Sequence, residues 1–525
     1  MKVLVSDKIS ELGVNKLREK VEVDVKLDLT PEELIDTIGE YDALIVRSST
    51  KVTRQVIEAG KKLKVIGRAG VGVDNIDVEA ATERGIIVLN APEGNTISAA
   101  EHAMALMTSL ARNIPAADAS LKAGEWKRSS FMGVELYQKT LGVIGMGRIG
   151  SEVIKRAKGF GMNILAHDPY ISDERAKKLG VTVASLEEIF RNADFITIHT
   201  PLTKATRHMI GREEIAMMKD GVRLINCARG GLIDEEALCE ALQSGKVAGA
   251  AIDVFEEEPA VDNPLCKLPN VIVTPHLGAS TLEAQVNVAV HVAEQVLNAL
   301  FDKPLVSAVN MPVIPPETMD AVAPYVPLLR TMGSLYSQIF NGQIEHIEII
   351  YSGEMASFPV TPLTNSFLIG LLSVILRESV NYVNAPHIAK QRGIKVREVT
   401  SSTVENFTNL VTVNVKTNEG IQTIAGTLFN KNDIRIVQIG TYRIEVIPSR
   451  YMLLTTFNDR PGVIGRFGIT LGENDINIAG MQVGRQTAGG ESLMVLQVDS
   501  CVPDQVLQQL EKIDAIKSVR FVQLN

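Results

Sequence analysis

Short apolar runs alternate with amphipathic, helix-length stretches along the first half of the chain. VLV at 3–5, ALIVR at 43–47 and LKVIGRAG at 63–70 read as strands that end in turns. PEELIDTIGE at 31–40 reads as a helix opening on Pro31, where a missing amide hydrogen costs nothing. NTISAAEHAMALMTSLARNI at 95–114 reads as one long helix with small side chains suited to close contacts. A more regular series follows. LGVIG at 141–145, ILAHD at 164–168, DFITIHTP at 194–201, VRLINCARG at 222–230, VAGAAIDVF at 247–255 and VIVTPH at 271–276 read as strands. SEVIKRAKGFG at 151–161 reads as the first intervening helix. Strands that are apolar on both faces, spaced at helix-length intervals, predict parallel sheets covered on both sides. VIVTPH is expected to be a buried strand with His276 at its mouth. The helix after GAST at 278–281 is expected to return the chain to the first unit.

The pattern then changes. Prolines at 304, 312, 315, 316, 324 and 327 mark a boundary. IEHIEIIYSG, VENFTNLVTVNVKT and YRIEVIP beyond it suggest a mixed α/β unit without a nucleotide fingerprint. The last segment reads as strand 451–457, helix 461–475 opening on Pro461, two strands joined by QTAGG, helix 503–513 and strand 518–524. That is βαββαβ, the ferredoxin-like order. The expected division is 1–96 with 289–316, then 97–288, 317–449 and 450–525.

Composition narrows the function classes. The 525 residues, 45% of them hydrophobic, suffice for several cores. A net charge of -9 and a pI near 5.6 argue against a nonspecific nucleic-acid binder. Cys227, Cys239, Cys266 and Cys501 form no CxxC pair, so a reduced compartment and no metal cluster are expected. MKVLVSD is too short an apolar run for a signal peptide, and FLIGLLSVILRESV at 367–380 is too short for an ordinary membrane span. A cytoplasmic protein with no membrane partner is the expectation.

Gly145-Met146-Gly147-Arg148-Ile149-Gly150 is a GxGxxG turn between strand and helix. Its glycines permit close backbone approach to a pyrophosphate, and the helix start offers amide hydrogens to that anion. Asp168 ends the next strand 23 residues after Gly145. Its carboxylate can accept from both adenosine ribose hydroxyls and repels a 2′-phosphate, which favours NAD over NADP. Ligands in open α/β folds gather beyond the carboxyl ends of strands. His199, Thr200 and Pro201, then Cys227 and Ala228, then Asp253 occupy such ends and are candidate cofactor contacts. Strand-end hydrogen bonding for His199 and simple burial for Cys227 stay open beside that reading.

GVGVDNID at 70–77, GMGRIG at 145–150, HTPL at 199–202, INCARGGLIDEEAL at 225–238, DVFEEEP at 253–259 and TPH at 274–276 together resemble the D-isomer-specific 2-hydroxyacid dehydrogenases. The resemblance is closest to the long, phosphoglycerate-oxidising members and covers nearly the whole chain. It implies two Rossmann-like domains forming a catalytic unit, a mixed α/β intervening domain, and a ferredoxin-like ACT domain. It further implies that Arg229 grips the substrate carboxylate, His276 exchanges the hydroxyl proton and Glu258 supports His276. The chemistry is coherent: a guanidinium makes paired contacts with a carboxylate, and an imidazole suits proton exchange near neutral pH. Arg47 and Ser48, the backbone of Val71 and Gly72, and Asn95 are implied substrate contacts. Lys127 and Arg128 are implied phosphate contacts offered to a partner chain. The implied reaction interconverts 3-phosphoglycerate and phosphohydroxypyruvate with NAD, in a homodimer or homotetramer.

The terminal module carries DRPGVIG and NDINIAGM, whose resemblance implies L-serine contacts from Asp459, Asn477 and the backbone near Val463 and Ile464. Phe457 stands where a shorter type of the enzyme has a histidine. Two other functions stay open at this stage: reduction of glyoxylate or hydroxypyruvate, and an NAD-dependent regulatory protein on the same fold.

Overall fold

In the computed structural model, residues 1–314, 316–376, 379–404, 406–430 and 432–524 are described. Pro315 of the predicted boundary, Arg377 and Glu378 of the apolar 367–380 stretch, and Glu405 of the second accessory segment lie outside them. The predicted alternation folds into two parallel sheets. The first orders its strands Glu22–Val25, Lys2–Val5, Ala43–Val46, Val65–Arg68 and Ile87–Leu89. Every neighbouring pair is parallel. Helix Pro31–Ile38 starts at Pro31 as predicted, and a Thr30–Glu33 capping box satisfies its first amides.

The second sheet has seven parallel strands. Thr140–Ile144 and Phe195–Ile198 are its central neighbours. Asn163–His167 and Thr182–Val183 lie to one side. Val222–Asn226, Val247–Ile252 and Val271–Val273 lie to the other. The chain direction therefore reverses its march beside Thr140–Ile144, the switch point at which doubly wound sheets open a ligand crevice. Val271–Val273 differs from expectation. It is the edge strand and is only half-buried, because it has a neighbour on one side alone. His276 stands beyond its exposed end.

Helix Thr96–Ala111 carries the chain from the first sheet to the second and buries Ala100, Ala103 and Met107. It stops short of the predicted 114 because Asn113 adopts a left-handed φ of 53° and Pro115 begins a separate helix, Ile114–Lys122. Helix Leu282–Leu300 makes the return. Val288, Val292 and Val296 pack with Val3, Val5, Ile45 and Val65 of the first sheet.

The third sheet orders Lys395–Ser401, Ile344–Gly353, Asn409–Thr417, Gly420–Leu428, Ile434–Ile439 and Tyr442–Val446. Its first pair is parallel and the rest antiparallel. Helices Tyr325–Ile339 and Thr361–Ile375 cover it and pack against each other at very close range: a Cβ on Gly370 would lie 2.0 Å from the Arg330 carbonyl oxygen. Pro362 to Leu372 are all buried, which explains the high apolarity of this stretch without a membrane. Among the described residues no helix is long and apolar enough to cross one.

The final sheet orders Ile478–Arg485, Glu491–Val498, Tyr451–Asn458 and Ile516–Gln523, all antiparallel, with helices Val463–Glu473 and Asp504–Glu511. This is the predicted βαββαβ order. Its first helix is capped by Gly462 at φ 89°, so Pro461 precedes the cap rather than opening the helix. Met452, Leu454, Val495 and Val522 of this sheet share one core with the third unit.

Candidate active site

The glycine turn lies at the switch point. Gly145 has φ 96°, and a Cβ there would sit 2.6 Å from the His199 carbonyl oxygen. A Cβ on Gly150 would meet the Gly145 carbonyl oxygen at 2.0 Å. Only glycine lets the turn, the helix start and the 199–200 loop close together in this way. Helix Arg148–Gly159 has Gly147 as its N-cap and no side-chain cap, so its first amides face open space. Exposed Arg148 pairs with Glu93 at 3.4 Å, and half-buried Ile149 packs beneath the turn. Asp168 follows its strand and receives the Met146 amide at 2.8 Å and the Tyr170 amide at 2.9 Å. It holds the turn in shape with lone pairs left for ribose hydroxyls. These features fit a dinucleotide.

Next to the turn, the His199 ring is 3.0 Å from Thr197 Oγ1, and burial pushes its pKa down to about 4. It is neutral at physiological pH. Thr200 Oγ1 contacts Met209 Sδ, and Pro201 accepts from Thr206 at 2.7 Å, which shapes the loop. Burial pushes the Cys227 thiol well up, which keeps it protonated and unreactive. The Ala228 amide donates to Asn226. Asp253 is fully buried. Burial opposes its ionisation, yet hydrogen bonds from His102, Thr274 and the Leu277 amide outweigh that and hold it below the usual carboxylate range.

His276 and Glu258 meet directly: Nδ1 is 2.9 Å from Oε2. Burial again works against the Glu258 charge, but hydrogen bonds from His276 and from the Phe255 amide to its carboxylate prevail and hold it below the usual range. An ionised carboxylate only accepts, so Nδ1 carries the proton and Nε2 is left for chemistry. Arg229 crosses from the second sheet to the loop of the first. Its Nε donates to Asp74 at 3.0 Å and its Nη1 to the Ala228 carbonyl at 2.6 Å. A Cβ on Gly72 would lie 1.9 Å from Arg229 Nη2, so the guanidinium rests on the bare backbone of the 70–77 turn.

The other predicted cleft residues are tied to that turn. Asn75 donates to the carbonyls of Arg47 and Thr50 at 2.7 and 2.6 Å. Asp7 receives the Arg47 amide at 2.5 Å, and Ser48 lies in the loop so fixed. Asn90 donates to the Val71 carbonyl at 2.6 Å. Asn95 precedes the linking helix without capping it, and its Oδ1 is buried with no partner. One cation escaped the sequence reading: Arg68, at the end of strand Val65–Arg68. Its Nε is buried without a partner. Burial and the neighbouring Arg229 charge lower its pKa to about 10. The available signal was a cation ending a parallel strand just before GVGVDNID.

Lys127 and Arg128 stand apart on an exposed segment, where Lys127 pairs with Glu125 at 2.8 Å. In the last module Asp459 pairs with Arg485 at 3.3 Å and Asn477 donates to Asp499 at 2.7 Å. Val463 and Ile464 turn their side chains into that module's core, which leaves only backbone to a ligand. Among the described residues no group of three or more His, Cys, Asp or Glu could hold a metal ion.

A glycine turn at the switch point, an arginine between two parallel sheets and a glutamate-backed histidine define a 2-hydroxyacid dehydrogenase. Residues 104–278 match the "D-isomer specific 2-hydroxyacid dehydrogenase, NAD binding domain". Residues 321–440 match the "D-3-phosphoglycerate dehydrogenase intervening domain" and 451–515 the "ACT domain". The chain is 51% identical to the D-3-phosphoglycerate dehydrogenase of Methanocaldococcus jannaschii over 525 residues, covering 100% of both. It is 48% identical to that of Synechocystis sp. over 524 residues, 100% of this chain and 95% of the relative. A solved glyoxylate reductase from Paecilomyes thermophila superposes with a TM-score of 0.55 at 34% identity, spanning 59% of this chain and 98% of its own. The chain belongs to the D-3-phosphoglycerate dehydrogenase family, and NAD is its cofactor.

Proposed function

We propose that the chain oxidises 3-phospho-D-glycerate to 3-phosphohydroxypyruvate with NAD+, the first committed step of L-serine synthesis. The observation that carries this is a pair of groups beyond the strand ends of the second sheet: Arg229, resting on Gly72 of the first sheet's turn, and His276, backed by Glu258 at 2.9 Å. Arg229 binds the C1 carboxylate, joined by the Val71 and Gly72 amides. Nε2 of His276 takes the C2 hydroxyl proton as C2 becomes a carbonyl, and returns it in reduction. NAD+ supplies the hydride acceptor, held by the 145–150 turn, Asp168, and the strand ends at 199–201, 227–228 and 253. Arg47, Ser48, Asn95 and Arg68 give the phosphate a positive, partly unpaired lining. This lining and the two C-terminal units favour a phosphorylated acid over glyoxylate.

The substrate-binding domain is 1–96 with 289–316, and the NAD-binding domain is 97–288. Residues 317–449 regulate or assemble, and 450–525 bind L-serine through Asp459, Asn477 and the backbone at 463–464. Two or four copies associate. Supporting this, Trp126 is 82% exposed and Met132 86%, beside Lys127 and Arg128. The enzyme works in the cytoplasm. The test compares kcat/KM for 3-phosphoglycerate, D-glycerate, D-lactate and 2-hydroxyglutarate with NAD+, with and without L-serine. The phosphorylated acid is expected to lead, and L-serine to slow it. Equal or better use of D-glycerate would overturn the substrate. His276→Asn is expected to cut kcat about 100-fold or more.

A further inference from the structure

The His276 backbone has φ 56°, a left-handed conformation that residues with a Cβ avoid. Such a conformation persists where its surroundings over-determine it. Here the over-determining group is Asp253. Its backbone carbonyl receives the His276 amide at 2.9 Å. Its carboxylate receives the Leu277 amide at 2.7 Å and the Gly278 amide at 2.9 Å, so three successive amides converge on one residue.

Two side chains outside the set assigned above fix that carboxylate in turn. Thr274 Oγ1 donates to Oδ1 at 2.6 Å. His102 Nε2 lies 3.1 Å from the same oxygen and 3.3 Å from Thr274 Oγ1. His102 belongs to Thr96–Ala111, the helix joining the two parallel sheets, rather than to the loop it steadies. An ionised carboxylate only accepts, so His102 presents an N–H. The imidazole that exchanges the substrate proton is thus held to the connecting helix through one buried carboxylate.

We propose that His102 and Thr274 are positioning residues for the dehydrogenase reaction, fixing Asp253 and through it the backbone of His276. This rests on the functional reading above. Misplacement of a reacting group by about 1 Å can cost turnover while leaving substrate affinity intact. The test uses the full chain carrying His102→Leu, His102→Gln or Thr274→Val. It measures 3-phosphoglycerate oxidation, NADH affinity by fluorescence, thermal melting and a crystal structure of each variant. His102→Leu is expected to lower kcat about 10-fold with KM and NADH affinity within about twofold of the parent. His102→Gln, whose amide can replace the Nε2 donor, is expected to restore most of the rate. Thr274→Val supplies the same comparison if the leucine variant fails to fold. Unchanged kcat in both His102→Leu and Thr274→Val would overturn the proposal, as would an equal loss in the leucine and glutamine variants. A loss that tracks NADH affinity would overturn it too. If the parent chain does not oxidise 3-phosphoglycerate, the functional reading fails by itself. The structures then decide: an unmoved 274–278 backbone in His102→Leu and Thr274→Val overturns the positioning role, and a displaced one supports it.

Discussion

Two histidines at strand ends meet opposite surroundings. His276 is 47% exposed in its side chain and has a carboxylate partner; His199 is partly buried and has none that is charged. Because burial lowers the His199 pKa from 6.5 to about 4, the unfolded chain binds a proton that the folded chain refuses between those values. Its contribution is fully present above 6.5 and is lost as pH falls toward about 4. His199→Gln is expected to flatten the fall of melting temperature over that range, by on the order of 1–3 kcal/mol at the acid end. Melting curves at half-unit pH steps check it. The residues proposed for the chemistry could be picked out because each stands in a short motif: Gly145 to Gly150, Arg229, Glu258, His276. Arg68 and His102 could not. Arg68 matters through its burial, and His102 through a partner 151 positions away, and neither is a local property of the chain.

At the level of elements, the parallel strands were readable because a strand buried on both faces is written as an unbroken apolar run. Edges were harder. Val271–Val273 has the same composition as its buried neighbours, and only sheet order reveals its exposure. Lys395–Ser401 is largely exposed and carries no apolar alternation to announce itself, so the third sheet could not be ordered from sequence. The strand-to-helix turn at 145–150 is the element with least tolerance. Gly150→Ala is expected to force the turn away from Gly145, raising KM for NAD+ at least 10-fold with a smaller effect on folding. Titration with NADH and a thermal melt separate the two, and unchanged NADH affinity would contradict the close approach seen at 2.0 Å.

Among the described residues, the surface around Ile114–Lys122 is markedly apolar and uncovered. Helix Ile114–Lys122 buries none of its residues, and Leu121, Trp126, Met132 and Tyr137 are exposed nearby. A run of this kind is expected to bury itself against a second copy. Trp126→Ser with Met132→Ser should shift light-scattering mass to a smaller species and raise KM for 3-phosphoglycerate if Lys127 and Arg128 serve a neighbour's cleft. At the opposite side, Asn381 of the third unit donates to the Gly85 carbonyl at 2.8 Å, just after helix Val78–Glu83 that follows the 70–77 turn. The third unit thus touches the first-sheet unit behind the 70–77 turn. No sequence motif announced that contact, which Asn381 and Asn384 make from a part of the chain about 300 positions away.

If Arg229 takes the substrate carboxylate as proposed, its clasp by Asp74 makes an incoming acid a competitor. The protein already carries an internal occupant of the same charge, tethered to the 70–77 turn whose amides are proposed to meet the ligand. Apparent affinity then measures an exchange of anions rather than the filling of a vacant seat. Asp74→Asn should tighten substrate binding several-fold while letting the guanidinium stray, so kcat falls as KM falls. A KM that rises instead would mean that the tether serves only to aim the arginine.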